Sequence, residues 1–439
     1  MRSQLERRKW VGFLGILALG LLLRFYLIFG NGAAIVPELF EYDELARNLL
    51  AGEGYVYSHR GTPYRSLYSG IFYVWITAGL YAVAPPGHTA VLIVQSFFSV
   101  LLAAVIFLIG QKLWSYQAGL LAAFLTITHP TLAYYDTHKL HPLSFDSLMI
   151  SMALLSLLCL RGSSRSTQPL FAGVALGVGV LQRGSLLLLL PLGLLWLWFF
   201  APKDRPLFRL AAAYLLGVVL MVTPWVVRNY QIHGAPILLT TTGEHFWVGN
   251  APHSYGSNLL PSGQTVLESA PEEFRRELFT RNEWDQSQLF WEYGLAQLRD
   301  RPTAFLLGTG RKFLSFWSFA SQSGIQYPRS YFTMYAIYYF TVAAFGILGA
   351  VLLAQTRFSE TFAFPGLLLI LALFFSISAI QSIFYVELRH RWAIEPMLLV
   401  LSSIGLLSVW HSWKEFRVSS LGFRVQTRNY KPGTRNQPL

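Results

Sequence analysis

Charged side chains are scarce in this chain. Of its 439 residues only 13% are Asp, Glu, Lys or Arg, well below the roughly 25% of an ordinary soluble domain. Cysteine is almost missing: Cys159 stands alone, which excludes an intramolecular disulfide and a CxxC metal site. No P-loop and no Rossmann fingerprint occurs, so nothing in the sequence is built to cradle a nucleotide phosphate. Apolar runs such as Leu186 to Trp198 are continuous rather than alternating, which argues against a membrane β-barrel. Internal repeats of the kind that build secondary transporters are also lacking.

What is there is apolar: 54% of the residues are hydrophobic and the mean hydropathy is +0.43. In lipid every backbone polar group needs a partner inside its own segment, so these runs read as helices. Runs near the ~20 residues that a bilayer requires fall at 10–30, 89–110, 117–134, 143–160, 168–181, 184–201, 208–226, 331–354, 363–385 and 393–411. The expected fold class is an all-α polytopic membrane protein with about ten transmembrane helices, interfacial helices and two long extracytoplasmic loops. Arg2, Arg7, Arg8 and Lys9 precede the first run, and no small-residue cleavage site follows it. It reads as an uncleaved span. Gly173 and Gly177 give the short run at 168–181 a GxxxG spacing suited to close helix packing.

The net charge of +12 would elsewhere suggest nucleic acid. Here the basic residues gather in short segments between apolar runs: Lys112; Arg161 and Arg165; Lys203, Arg205 and Arg209; Arg357; and a tail with Lys414, Arg417, Arg424, Arg428, Lys431 and Arg435. That is a topology signal. It places both termini in the cytoplasm and the two long loops outside, in a cell membrane read as the bacterial plasma membrane. The chain then divides into a first transmembrane helix (1–30), a first extracytoplasmic loop with interfacial helices (31–88), helices two to seven (89–226), a large extracytoplasmic loop (227–330), helices eight to ten (331–411) and a basic cytoplasmic tail (412–439) expected to be disordered.

Long patterned loops usually carry function. Pro37 to Leu50 reads as an amphipathic helix with Pro37 at its first position, and Leu67 to Val83 as a helix along the interface. In the large loop, Pro271 to Arg299 reads as one polar helix, and 303–320, interrupted by Arg311 and Lys312, as a further interfacial one.

EYDELARNLLAGEGY at 41–55 resembles the first-loop motif of the GT-C membrane glycosyltransferases, in the branch of the protein O-mannosyltransferases and bacterial aminoarabinose transferases. TPWVVRNYQIHGAPILLTTTGEHFWVGN at 223–250, RDRPTAFLLGTGRKFLSFW at 299–317 and RHRWAIEPMLLVL at 389–401 resemble later landmarks of that branch, in its order. The resemblance implies a glycosyltransferase that moves a sugar from a polyprenyl-phosphate carrier to a lipid, glycan or protein acceptor on the extracytoplasmic side. A site on that face has no access to cytoplasmic nucleotide sugars, which fits the missing phosphate-binding fingerprints.

Transfer with inversion needs a carboxylate to take the acceptor's proton and cations to hold the leaving phosphate. The resembled register, counted back from Ala46, lands on Glu38, where the family usually has Asp; Asp43 is the other candidate base, and its pairing with Arg47 at i, i+4 is the plain structural alternative. Glu38, as a helical residue, would share a face with Glu41 and Tyr42. Candidate substrate-binding residues are Tyr42; Arg65 in TPYRSLYS, in place of a Lys–Pro pair of related enzymes; Asp136, His138 and His141 in a loop YYDTHKLHP; Arg183 between two apolar runs; Arg228; and the Arg389–His390–Arg391 cluster. Snorkelling to headgroups is the alternative for each arginine. No metal or other cofactor is assigned; a divalent ion on Asp136, His138 and His141 is weighed against their being simply polar loop residues. A lipid-sugar flippase or polysaccharide exporter, another lipid-carrier enzyme, and an inactive relative remain the rival functions.

Overall fold

The computed structural model describes residues 2–30, 35–59, 61–66, 70–84, 87–160, 167–201, 205–318, 329–356 and 362–428. The expected topology residues Arg161, Arg165, Lys203, Arg357, Lys431 and Arg435 lie outside them. The chain is almost wholly helical: α1 (Arg2–Phe29), α2 (Glu41–Leu50), α3 (Ile71–Val83), α4 (Thr89–Leu113), α5 (Tyr116–Ile127), α6 (Pro130–His138), α7 (Leu143–Leu160), α8 (Gln168–Gln182), a 3₁₀ turn (Gly184–Leu188), α9 (Leu189–Phe200), α10 (Leu207–His233), α11 (Thr241–Asn250), α12 (Glu272–Phe279), α13 (Glu283–Asp300), α14 (Pro302–Trp317), α15 (Arg329–Gln355), α16 (Ala363–Ile383), α17 (Leu388–Trp392) and α18 (Glu395–Arg428). One antiparallel hairpin, β1 (Tyr57–His59) with β2 (Thr62–Tyr64), interrupts the first loop, Tyr57 facing Tyr64.

All ten expected runs are helical. Among the described residues seven helices, α1, α4, α7, α10, α15, α16 and α18, are long and apolar enough to cross a membrane; α5, α8 and the 3₁₀–α9 segment are shorter apolar pieces. The protein is an all-α polytopic membrane protein. The run at 117–134 splits because Thr128 and His129 leave the helix and Pro130 opens the next, with His129 capping Leu132 N. The expected disordered tail is in part helical: no proline stands between Pro396 and Pro432, and α18 runs on to Arg428. The single helix expected at 271–299 is two. Asn282 caps the second by accepting from Asp285 N at 3.0 Å.

Close approach of backbones holds the bundle together. A Cβ on Gly173 would lie 2.0 Å from Tyr214 O, and one on Gly177 2.7 Å from Met221 Cβ, so both GxxxG glycines face α10. Inside the bundle Arg24 of α1 is fully buried, paired to Asp136 at 2.8 Å, and it also donates to Ser99 and to Ile127 O. That pair fastens α1 to α4 and α6.

Candidate active site

The segment leading into α2 is extended, because its backbone is used elsewhere: Glu38 N donates to His138 O at 2.8 Å and Leu140 N donates to Glu38 O at 2.9 Å. This corrects the expected helix start. Pro37 is not a first helical residue, Glu38 is not one turn before Glu41, and α2 begins only at Glu41, whose first turn carries Glu41, Asp43 and Glu44. Tyr42, Leu45 and Ala46 bury one face of α2, leaving Glu41 half-buried at the rim of a cavity.

That cavity has a volume of about 400 Å³ and draws on six parts of the chain. The first loop supplies Glu41 and Tyr42, and the α6–α7 corner supplies His141 and Asp146. The end of α8 and the 3₁₀ turn give Gln182, Arg183 and Ser185; α11 gives His245; α17 gives Arg389 and His390. One wall is apolar, with Leu187, Leu188, Leu238, Leu239, Ile380 and Phe384.

Each charged group there is fixed by local structure. The chain turns at Arg183, where φ is −150° and α8 ends, and its guanidinium donates from Nη2 at 2.9 Å and Nε at 3.1 Å to Asp146 Oδ2. Arg389 sits on a five-residue helix that exists because of a reciprocal capping box between Glu387 and His390. Its Nε pairs with Glu387 Oε2 at 2.6 Å. Burial works against the charge on Arg389, but Glu387, Tyr385, Tyr135 and Glu41 together outweigh it, so the guanidinium stays protonated. Burial raises the Glu41 carboxyl above its ordinary value, while Arg389 pulls in the opposite direction. Burial, and then the nearby arginines, push His141 and His390 well below the usual imidazole value; burial together with Arg389 takes His245 to about 4. The cavity's positive charge therefore resides on its arginines, beside imidazoles that are neutral at neutral pH. His141 Nδ1 and Ser185 Oγ are buried without a partner among the described residues, a polar lining left for a ligand to satisfy.

Of the residues singled out from the sequence, Tyr42, His141, Arg183, Arg389 and His390 line this cavity. The others lie elsewhere. Glu38 is exposed and pairs with Lys139 Nζ at 2.7 Å. Asp43 is buried against α3, accepting from Arg47 at 2.9 Å, Tyr81 at 2.5 Å and His88 at 3.1 Å. The YYDTHKLHP segment is not a loop up to His138 but the second half of α6. Asp136 thus turns inward to Arg24, and His138 stacks on Tyr134; they do not converge with His141. Among the described residues no group of three His, Cys, Asp or Glu is arranged to hold a metal ion. Arg228 supports the first loop, donating to Arg65 O at 3.0 Å and stacking over Trp225, while the Arg65 side chain is exposed. Arg391 is fully buried, bonded to Glu395 at 2.8 Å, Tyr335 at 2.6 Å and Phe316 O at 2.9 Å. It is a brace between α17, α18, α14 and α15.

Sequence reasoning missed Glu41, Asp146, His245 and Glu387. Asp146 carried a signal, as an ionisable residue inside the apolar run LSFDSLMI. Glu41 stood in the motif itself, hidden by the assumption that the helix began at Pro37.

Residues 69–227, from just before α3 into α10, match the family described as dolichyl-phosphate-mannose-protein mannosyltransferase. Among solved structures, the apo oligosaccharyltransferase of Archaeoglobus fulgidus superposes with a TM-score of 0.55 at 15% identity, over 97% of this chain and 52% of that one. The archaeal oligosaccharyltransferase AglB from the same organism, in complex with an inhibitory peptide and a dolichol-phosphate, gives 0.56 at 13% identity, again over 97% and 52%. ArnT from Cupriavidus metallidurans bound to undecaprenyl phosphate gives 0.44 at 13% identity over 90% of this chain and 78% of that one. No curated protein sequence matches the chain. The chain spans about half the length of the archaeal oligosaccharyltransferases it resembles.

The fold is shared with these archaeal oligosaccharyltransferases. More narrowly, the stretch at 69–227 carries the match to the protein mannosyltransferase family, in the branch that the first-loop motif resembles.

Proposed function

We propose that this protein is a glycosyltransferase that moves a sugar from a polyprenyl-phosphate carrier to an acceptor hydroxyl or amine at the extracytoplasmic face of the membrane. One observation carries the reading: a first-loop carboxylate, Glu41, two arginines, Arg183 and Arg389, and an apolar wall meet in one cavity. A polyprenyl phosphate has that composition, an anion on a hydrocarbon tail. The dolichol-phosphate held by an archaeal protein of the same fold and the dolichyl-phosphate-mannose donor named for the matching family support the same substrate class.

In this proposal Glu41, rather than Glu38 or Asp43, is the general base. It takes the acceptor's proton while the acceptor's lone pair forms a bond to the anomeric carbon. The bond from that carbon to the carrier's phosphate oxygen breaks on the opposite face, which inverts the centre. The electron pair leaves on the phosphate, where Arg183 and Arg389 receive the developing charge. Asp146 and Glu387 keep the two guanidinium groups aimed. A half-buried carboxylate with a raised proton affinity is a better base than an exposed one, provided that it is ionised at the working pH, and Arg389 favours that ionisation.

The test is transfer from an undecaprenyl-phosphate-linked sugar in purified protein. Glu41→Gln should lose roughly 100-fold or more, in line with the removal of a general base, while still binding undecaprenyl phosphate. Full transfer by that variant would overturn the assignment. Transport of the intact lipid-linked sugar across vesicles, without a glycosylated product, would favour a flippase instead.

A further inference from the structure

A second polar cavity, with no lining residue in common with the first, lies between the end of α11, the loop after it, and the α13–α14 corner. Its volume is about 160 Å³. It is lined by Gly249 and Asn250, by Gln297 and Arg301 at the end of α13, and by Arg311 and Lys312 on α14. Among the described residues no acidic one lines it. Lys312 forms its floor. Buried, it donates to Gly249 O at 3.0 Å, to Phe384 O at 2.8 Å and to Asn250 Oδ1 at 2.8 Å, so its hydrogens are committed to the protein. Arg301 and Arg311 are exposed, and neither has an ion-pair partner among the described residues. Gln297 Oε1 is buried there without a partner among the described residues. That combination asks for an anion to meet the guanidinium groups and a hydroxyl to meet the amide.

The surroundings say what carries the anion. Leu307, Arg311 and Leu314 recur at i, i+4 and i+7, one stripe of α14, and Leu307 and Leu314 are more than 70% exposed. Leu306 beside them is 69% exposed. A cavity of this size is below the roughly 300 Å³ of a site for a whole drug-sized ligand, so it admits a head and leaves any tail outside. Tails would lie along the leucine stripe, as on an amphipathic helix seated at a membrane surface. We infer that this cavity binds the hydroxyl-bearing phosphate headgroup of an anionic membrane lipid, with Arg301 and Arg311 on the phosphate and Gln297 on a headgroup hydroxyl. The site is distinct from the one proposed for the donor, and the inference does not depend on that proposal.

The test is native mass spectrometry of the full chain in detergent with phosphatidylglycerol or phosphatidylcholine of the same acyl chains, with inorganic phosphate as competitor. Wild type should retain phosphatidylglycerol at least tenfold better than phosphatidylcholine. Arg301→Gln with Arg311→Gln should abolish that preference. Arg301→Lys with Arg311→Lys should keep part of it, and Gln297→Ala should narrow it. Thermal unfolding of each variant checks that the fold is intact. Arg276→Gln, at an exposed position of α12 outside both cavities, should leave the preference unchanged. Equal retention of the two lipids by wild type, or an unchanged preference in a folded Arg301→Gln/Arg311→Gln variant, would overturn the inference. So would phosphate at micromolar concentration displacing the lipid, which would mark a site for the free ion.

Discussion

Arg183 and Asp146 meet at 2.9 Å on the wall of the larger cavity, where the end of α8 faces the first turn of α7. Asp146 is 3% exposed and Arg183 15%, so the arginine is both aimed and reachable. Removing Arg183 should weaken stabilisation of a leaving phosphate by roughly 100- to 1000-fold in turnover, the usual cost of losing one such donor. Asp146→Asn should act through Arg183: the KM for the lipid donor rises while binding of a neutral acceptor is unchanged. Kinetics of both variants against donor concentration check this.

The first loop offers a sharp contrast between two carboxylates. Glu38 is 58% exposed and pairs with Lys139 at the surface, an arrangement worth at most about 1 kcal/mol. Glu38→Gln should therefore leave transfer within a fewfold of wild type, whereas Glu41→Gln should nearly abolish it. A dead Glu38→Gln beside an active Glu41→Gln would return the base to the position reached from the sequence register.

The pH dependence of transfer has a definite sign. Burial raises the Glu41 carboxyl above the ordinary carboxylate range, so its base form is lost at a higher pH than for an exposed acid. Turnover should fall as pH decreases through that titration and recover as pH rises. A pH–rate profile shows this acid limb; Asp43→Asn should retain it, since Asp43 lies outside the cavity and its own carboxyl is lowered by Arg47 and Tyr81 despite partial burial. A limb at the position of an ordinary exposed carboxylate would count against Glu41.

Stability should depend on a pair that has nothing to do with the reaction. Arg24 and Asp136 are both inside the bundle, and breaking a buried pair costs about 3–5 kcal/mol because one charge is left without compensation. Asp136→Asn and Arg24→Ala should each lower the unfolding temperature in detergent markedly. Arg24→Met combined with Asp136→Leu should recover much of the loss. Equal stability of all four proteins would contradict the pairing.

Helix packing gives a last check. A side chain at Gly173 would run into the backbone of α10 at Tyr214, and overpacking of this kind costs about 1–3 kcal/mol. Gly173→Val should lower the yield of monodisperse protein, while Gly15→Ala, with nothing near its Cβ position, should not. Size-exclusion profiles of the two distinguish them.

Much of the architecture could be read from the chain because lipid imposes one rule on it. Apolar runs had to be helices, and all ten of them are. Their lengths were less legible: the run at 117–134 breaks at Thr128 and His129 and restarts at Pro130, through capping and a backbone turn that hydropathy averages over. The cavity was half legible. Arg183 and Arg389 stood out as charges beside apolar runs, and Tyr42 and His141 as members of suggestive segments. Glu41 was overlooked because the pairing of Glu38 with His138 and Leu140 is a contact across a hundred residues, and only that contact shows where α2 begins. Arg391 misled for the opposite reason. Its neighbours in sequence reach the cavity, but its own partners, Tyr335 and Glu395, come from other helices.

The short parallel bridge from Glu38 to the end of α6 also governs movement. The strand that delivers Glu41 and the corner that delivers His141 are zipped together by two backbone hydrogen bonds, so the two side chains ride on one mechanical unit. A displacement of α6 would carry the acid and the imidazole in concert, altering the width of the cavity mouth without changing the spacing between them.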